Sequence, residues 1–299
     1  MKTIIGCSNS CTEAEDLAKI TNYSFVKSVK RYFPDGEMHI HLDKNIDEAG
    51  EVFIYQSTYP APTEALFEIL LISDLLKEKI NNITLIAPWF AYSRQDKKWF
   101  PTECFSLKTV AKLLKCAGIN KVITVDSHFH RQPGNFNMFN LEWTNVSAAK
   151  ELVNYVRQKK GDVEIVGPDE GSDELLELVG GKVVFDKKKT CRKCKLPAQK
   201  CRCESSVKDY EITAKLKAEI KNNKVLIIDD IIGSGKTILS AVKELKNKDI
   251  TVCATHGFFF NDSLNALKQL GVFIATTDSV KTEASKVSVN SILASIIKQ

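Results

Sequence analysis

Short aliphatic runs alternate with helix-period segments along almost the whole chain, and this alternation restricts the fold more than any other feature. In the first half the strand-like runs are Thr3–Cys7, Glu37–Leu42, Val52–Tyr55, Ile83–Ala87 and Lys121–Asp126. Helical patterns lie between them at Glu13–Ile20, Glu64–Lys79 and Phe105–Ala117. The second half follows the same logic: helix Ala148–Gln158, strand Val163–Gly167, helix Asp173–Val179 and strand Lys182–Phe185. After an irregular stretch come strand Lys224–Asp229, helix Lys236–Leu245, strand Thr251–Thr255, helix Leu264–Leu270 and strand Val272–Thr276. A helix that returns the chain to the edge it left makes successive strands parallel, and the helices then cover both sheet faces. With 299 residues the chain has room for two such domains. The expected fold is therefore α/β, with two similar domains over 1–145 and 146–299, each a mostly parallel sheet flanked by helices. Asn145–Ser147 is read as the crossover between them, after a loop over His128–Asn140.

In sheets of this kind ligands sit beyond the carboxyl ends of the strands. The unusual polar residues of this sequence fall at those ends. Val225–Leu239 reads VLIIDDIIGSGKTIL: a buried-strand run, the adjacent carboxylates Asp229 and Asp230, a loop with two glycines, and a helix opening at Lys236 and Thr237. Glycines let backbone N–H groups turn inward, and a helix N-terminus adds partial positive charge, so the loop over Gly233, Ser234, Gly235, Lys236 and Thr237 suits a phosphate. Two acids beside it suit vicinal sugar hydroxyls or magnesium. Together they describe a pocket for a phosphorylated ribose. The end of the segment imitates a nucleotide P-loop, but Asp230 stands where that motif needs glycine, five residues before Gly235. The bland alternative is a strand, acid, glycine and helix of the sort found at any doubly wound sheet edge.

Four more segments carry chemistry. Phe33-Pro34-Asp35-Gly36-Glu37 joins an aromatic, a turn and two acids; the stretch from Pro88 to Lys98 mixes aromatics with Arg94, Gln95 and two lysines. His128 follows the strand ending at Asp126, and Asp169 follows the one ending at Gly167. Singly, each has an ordinary explanation as a turn, a solvated loop or a hydrogen-bonded histidine.

In this order, with the DD loop, they resemble the ribose-phosphate pyrophosphokinase family. The resemblance runs from the first strand to the closing segments Thr255-His256-Gly257 and Thr277-Asp278-Ser279, and is especially close over PTECFSLKTVAKLLKCAGINKVITVD. It implies a type I phosphoribosyltransferase-like fold and an enzyme that moves the diphosphoryl group of ATP to the anomeric hydroxyl of ribose 5-phosphate. By resemblance, Phe33 stacks on adenine with Asp35 and Glu37 near the base, while Arg94 and Gln95 hold ATP. His128 and Asp169 anchor Mg²⁺, Asp229 and Asp230 bind the ribose hydroxyls, and the loop over 233–237 cradles the 5-phosphate. Lys187, in the run Asp186-Lys187-Lys188-Lys189, aligns with the catalytic lysine of the family's mobile loop. Lys189 stands where relatives often carry arginine, and an ammonium cannot grip two oxygens as a guanidinium does. Relatives assemble as dimers or hexamers, so the resemblance also implies a homo-oligomer.

The chain departs from the family twice. Lys236 replaces a small residue in the phosphate loop, either adding charge there or pointing outward. More unusual is CRKCKLPAQKCRC, which sets Cys191, Cys194, Cys201 and Cys203 inside the loop 187–209 that should be flexible and catalytic. Four thiolates with a short knuckle at each end can close a tetrahedral structural zinc site. A redox-active thiol pair and an unliganded loop are the alternatives. Lys187, Lys188, Lys189, Arg192, Lys193, Lys195, Lys200 and Arg202 surround the four, which lowers thiol pKa values and offsets negative charge. The other five cysteines, Cys7, Cys11, Cys104, Cys116 and Cys253, read as small buried or half-buried hydrophobes.

Composition excludes several classes. No run is long and apolar enough to suggest a membrane span, and MKTIIGCSNS enters a strand without a signal-peptide layout, so a cytoplasmic protein is expected. A net charge of +5, much of it in one segment, does not call for nucleic acid. A catalytically weak regulatory paralogue and a phosphoribosyltransferase remain as alternative functions. The first need not keep every site residue, and the second has no use for the FPDGE and RQDKK segments.

Overall fold

The computed structural model describes residues 1–46, 50–98, 100–201, 203, 210–245 and 247–298. The chain forms two compact units, one over Met1–Ala148 and Ser288–Gln299, the other over Ala149–Val287. The closing segment was expected in the second domain. It instead groups with the first, where the Asn290 amide donates to the Glu13 carbonyl (2.8 Å) and the Tyr23 hydroxyl to that of Ile297 (2.8 Å). Leu293, Ala294 and Ile297, three and four residues apart along the last helix, pack with Leu17 and Phe53.

The first unit is built on eight strands, β1 (Lys2–Gly6), β2 (Ser24–Tyr32), β3 (Met38–Leu42), β4 (Glu51–Tyr55), β5 (Ile83–Ile86), β6 (Lys121–Val125), β7 (Gly134–Met138) and β8 (Leu141–Val146). They make one sheet in the order β3-β2-β1-β4-β5-β6-β8-β7. Its six inner strands run parallel, and the edge strands β3 and β7 are antiparallel. Helices α1 (Cys11–Thr21), α2 (Pro62–Leu76) and α3 (Ser106–Cys116) connect the parallel strands. The central strands are buried on both faces, as continuous aliphatic runs such as ITLI require.

Three of these strands differ from the sequence expectation. β2 alternates apolar and basic residues weakly and was not expected. β7 lies inside the expected loop 128–140, and β8 takes in the expected crossover from Asn145. A two-residue turn makes the β7–β8 hairpin: Phe139 and Asn140 both take positive φ, 56° and 62°, between the paired residues Met138 and Leu141. Such turns match strand twist but favour Asn and Gly, so a phenylalanine there hides the signal.

The second unit opens on α4 (Ala149–Lys160) and has a parallel six-stranded sheet. Its elements are β9 (Glu164–Gly167), α5 (Asp173–Glu177), β10 (Lys182–Val183), β11 (Phe185–Cys191), β12 (Tyr210–Leu216), β13 (Lys224–Ile232), α6 (Lys236–Glu244), β14 (Asp249–Gly257), α7 (Ser263–Gln269), β15 (Phe273–Thr277) and β16 (Ser285–Val287). The sheet order is β10-β9-β13-β14-β15-β16. β11 and β12 stand outside it as an antiparallel hairpin, so the segment after Phe185 begins as an ordered strand rather than a loop. Phe185, at the root of the hairpin, and Ala214, opposite Lys187 in the ladder, are 1% exposed within the core around Ile227 and Val252. Burying one such aromatic contributes about 1.5–3 kcal/mol, enough to fix the root of the hairpin. Both units are thus mostly parallel sheets flanked by helices. Among the described residues no helix is long and apolar enough to cross a membrane.

Candidate functional site

In the second unit the site grows from the register of β9 against β13. Val166 pairs with Ile227 in parallel, so β9 ends at Gly167 beside the part of β13 that leads into Asp229. Asp169 lies three residues past Val166, and Asp229 two past Ile227. Gly167 makes the turn after β9 possible, since a Cβ there would lie 2.1 Å from Ser172 Oγ. Asp169 then accepts from the Gly171 N–H at 2.8 Å with one carboxylate oxygen and pairs through the other with Lys187 Nζ.

Contrary to expectation, β13 does not end at Asp229 but continues to Ile232, with Asp229 opposite Ala254 and Ile232 opposite Gly257. The acids therefore sit on ladder backbone, half-buried, rather than in the loop. Burial, with the carboxylates of Asp230 and Asp169 close by, pushes the Asp229 carboxyl well above the usual carboxylate range. Asp169, Asp229 and Asp230 thus offer hard oxygen donors of the kind Mg²⁺ takes, although among the described residues only the cysteines gather into a metal-sized cluster.

Gly233 and Ser234 follow, and Gly235 precedes α6 with φ 66° and ψ −2°. A side chain is excluded at Gly235 twice over, by the left-handed backbone and by Ser263 Cβ, 2.7 Å from where its Cβ would lie. The Gly233 carbonyl accepts from the Phe260 N–H at 2.9 Å, which fixes the loop to the segment after β14. Lys236 turns towards β12, its Nζ 3.5 Å from the Tyr210 carbonyl. Thr237 is half-buried in the first turn of α6.

The β11 ladder decides which lysines face the site. Residues two apart share a face, so Phe185, Lys187, Lys189 and Cys191 point one way and Asp186, Lys188 and Thr190 the other. Lys187 and Lys189 line a cavity of about 340 Å³ together with Asp169, Glu170, Gly171, Phe185 and Asp186. Desolvation and the Lys187 ammonium beside it pull the Lys189 pKa down.

At the tip of the hairpin the four cysteine sulfurs lie within 4.8 Å of one another. Cys191 and Cys203 Sγ are 3.9 Å apart, Cys194 and Cys201 3.7 Å. A regular tetrahedron with metal–sulfur bonds of about 2.3 Å has an edge of about 3.8 Å. Backbone N–H donation from Cys194 and Lys193 and thiol hydrogen bonds within the cluster bring Cys191 down to about 6, while Cys203, beside the same sulfurs, is pushed up to about 12. Arg202, expected among the surrounding cations, lies outside the described residues, as do positions 204–209 of the expected loop. Among the other cysteines, Cys7 and Cys253 are buried and Cys11 half-buried as expected, but Cys104 and Cys116 are exposed.

In the first unit Phe33–Glu37 forms the tip of the β2–β3 hairpin. The Phe33 N–H donates to the Glu37 carbonyl (2.9 Å), and Asp35 Oδ1 accepts from the Glu37 N–H (3.1 Å). Phe33 is 51% exposed, with His39 edge-on at 5.7 Å, leaving a ring face open for stacking. The exposed Arg94 guanidinium lies over the Trp89 ring at 5.8 Å. Gln95 is committed locally: its amide nitrogen donates to Glu103 at 3.3 Å and its oxygen accepts from the Ser106 hydroxyl at the start of α3. His128 is half-buried in a loop that Asn145 organises. Asn145 Oδ1 accepts from the Ser127 N–H (2.9 Å), and its Nδ2 lies 2.9–3.2 Å from the carbonyls of His130, Arg131 and Gln132.

Two positioning residues escaped sequence reasoning. Asn145 reads as a crossover residue, and nothing local marks its long-range partners. Glu68, fully buried on α2, accepts from the Ser8 N–H (3.0 Å), Ser28 Oγ (2.8 Å) and Gln56 Nε2 (3.0 Å), anchoring the loops after β1 and β4. An acid at an apolar helix position was its only signal.

Known proteins match this chain over nearly its whole length. Residues 2–118 match the N-terminal domain of ribose phosphate pyrophosphokinase, and residues 148–269 match the phosphoribosyl transferase domain. The ribose-phosphate pyrophosphokinase of Methanobrevibacter smithii is 30% identical over 308 aligned positions, covering 99% of each chain. Ribose-phosphate pyrophosphokinase 1 of Archaeoglobus fulgidus is 29% identical, covering 99% of this chain and 100% of the relative. The crystal structure of phosphoribosylpyrophosphate synthetase from Mycobacterium smegmatis superposes with a TM-score of 0.77 at 25% identity, covering 100% of this chain and 98% of that one. The chain belongs to the ribose-phosphate pyrophosphokinase family.

Proposed function

We propose that the protein transfers the β,γ-diphosphoryl group of ATP to the anomeric hydroxyl of ribose 5-phosphate, giving phosphoribosyl diphosphate and AMP for nucleotide biosynthesis. The observation that carries the reading is the meeting of Lys187, Lys189 and Asp169 in one cavity at the carboxyl edge of the sheet where β13 presents Asp229 and Asp230. Diphosphoryl transfer needs little covalent help from the protein; it needs charge neutralised and reactants aligned. Lys187 supplies a positive charge for the transferring group, and Lys189 adds a second. Asp229 and Asp230 accept hydrogen bonds from the ribose hydroxyls and orient the attacking sugar. The loop over 233–237 holds its 5-phosphate with backbone N–H groups and the start of α6. Phe33 stacks on the adenine, with Asp35 and Glu37 beside it, and the Arg94 guanidinium grips phosphate oxygens. Gln95 serves ATP binding chiefly by fixing the Arg94 segment to α3.

Magnesium, when bound, neutralises phosphate charge. In the second unit Asp169 would hold it, with Asp229 and Asp230 contributing through water or directly, and His128 is the donor the first unit offers. Zinc belongs at Cys191, Cys194, Cys201 and Cys203, where soft thiolates in tetrahedral spacing favour it. The setting is cytoplasmic and the working form a homo-oligomer. The deciding assay incubates the protein with ATP, Mg²⁺ and ribose 5-phosphate. AMP release that requires the sugar supports the reading; ATP left intact, or hydrolysed regardless of sugar, overturns it.

A further inference from the structure

We propose that Cys191, Cys194, Cys201 and Cys203 hold a zinc ion that clamps the tip of the β11–β12 hairpin and thereby fixes where Lys187 and Lys189 stand. The effect on catalysis rests on the function proposed above; the binding of zinc does not. The sulfur separations of 3.7 and 3.9 Å match the tetrahedral edge of about 3.8 Å and are nearly twice the length of a disulfide bond, about 2.05 Å. The two halves of the cluster come from opposite sides of the segment, Cys191 and Cys194 from the end of β11 and Cys201 and Cys203 from the returning chain. An ion bound by all four joins them. The described cations Arg192, Lys193, Lys195 and Lys200 offset the net negative charge of a tetrathiolate zinc centre.

The hairpin needs such a tie. A two-stranded ladder is marginal by itself, and this one has a buried anchor at its root, Phe185 opposite Leu216, but only exposed or half-exposed residues from Asp186 to Thr190. Residues 192–209 separate Cys191 from its ladder partner Tyr210, and closing a connection of that length costs conformational entropy. Cys191 is the last residue of the strand and shares the face of Lys187 and Lys189, so a clamp there holds the strand at its far end. The far strand is tied as well: the Ala214 N–H donates to Ser240 Oγ on α6 at 2.8 Å, and Lys236 reaches Tyr210. Loss of zinc should therefore loosen the lysines first and the phosphate loop, which is held by β13 and β14, much less.

The test measures zinc in the purified full-length protein, then removes it with an organomercurial and adds it back. We expect one zinc per chain, released as the thiols react. Hydrogen exchange on zinc removal should speed up over Lys187–Thr190 and Ile212–Ala214 and stay unchanged over Val225–Ile228. Activity should fall on the order of 10- to 100-fold in kcat, with KM for ribose 5-phosphate within about twofold, and return with zinc. A Cys201→Ser/Cys203→Ser variant should reproduce the exchange and kcat changes without the mercurial. Iron or no metal in the protein, disulfides shown by intact mass, or zinc loss that leaves exchange and kcat unchanged would each overturn the clamp. If zinc is present and the exchange responds but no sugar-dependent AMP forms in the loaded protein, the functional reading fails while zinc binding stands.

Discussion

Gly235→Ala tests the proposed role of the loop over 233–237 most sharply, because the structure gives the substitution two separate penalties. Gly235 sits at φ 66°, where an alanine costs about 1–2 kcal/mol. Its new methyl would meet Ser263 Cβ at 2.7 Å, and Ser263, the first residue of α7, is 2% exposed. Overpacking a site that cannot move freely costs about 1–3 kcal/mol more. The sum is about 2–5 kcal/mol for a unit of about 140 residues, whose melting shifts about 3 °C per kcal/mol, so its thermal midpoint should fall about 6–15 °C. Function should suffer in a particular way: KM for ribose 5-phosphate should rise several-fold while KM for ATP holds, since only the loop over 233–237 is reshaped. Combining the change with Ser263→Gly removes the clash but not the backbone strain, so the cost of Gly235→Ala should shrink in that background without vanishing. Scanning calorimetry and initial rates at varied sugar concentration read all of this. An unchanged midpoint with an unchanged KM would refute the reasoning.

Three further substitutions probe the rest of the site. Asp229→Asn should raise the apo thermal midpoint at neutral pH, by about 0.5–2 kcal/mol of stability, while abolishing activity. The sign follows from the raised carboxyl: its penalty is absent below the unfolded value and grows as pH rises through the folded one, so wild type should lose stability over that window relative to the variant. Melts across pH that run parallel for the two proteins would contradict this. Lys187→Met should lower kcat by about 10²–10³-fold with both KM values little changed, as expected for a charge used mainly in the transition state; initial-rate kinetics check it. Glu68→Ala should destabilise the first unit by about 3–5 kcal/mol, because Ser8, Ser28 and Gln56 lose a shared buried acceptor; urea unfolding followed by an intrinsic fluorescence probe reports it.

What could be read in advance and what could not divides along the range of the interactions involved. Aliphatic runs bounded by helix-period segments specify parallel strands locally, so the central strands of both sheets were legible from composition and spacing alone. The DD–glycine–helix segment and the order of the polar strand ends were legible as well, since their chemistry is written in neighbouring residues. Edge structure was not. The β7–β8 turn falls on a phenylalanine that hides its signal, β2 and the β11–β12 ladder depend on partners far along the chain, and residues such as Lys187–Thr190 show no apolar alternation because little of them is buried. The roles of Asn145 and Glu68 were invisible for the same reason, each being defined by hydrogen bonds to segments remote in sequence. Sequence by itself determined the class of fold, the family and the identity of the chemical groups. Tertiary structure alone decided that Lys187 and Lys189 share a face with Cys191, that Asp169 pairs with Lys187, and that four cysteines converge at one point. A residue's type is fixed by its codon, but the charge it meets and the face it shares are set by a ladder register that only the folded chain contains.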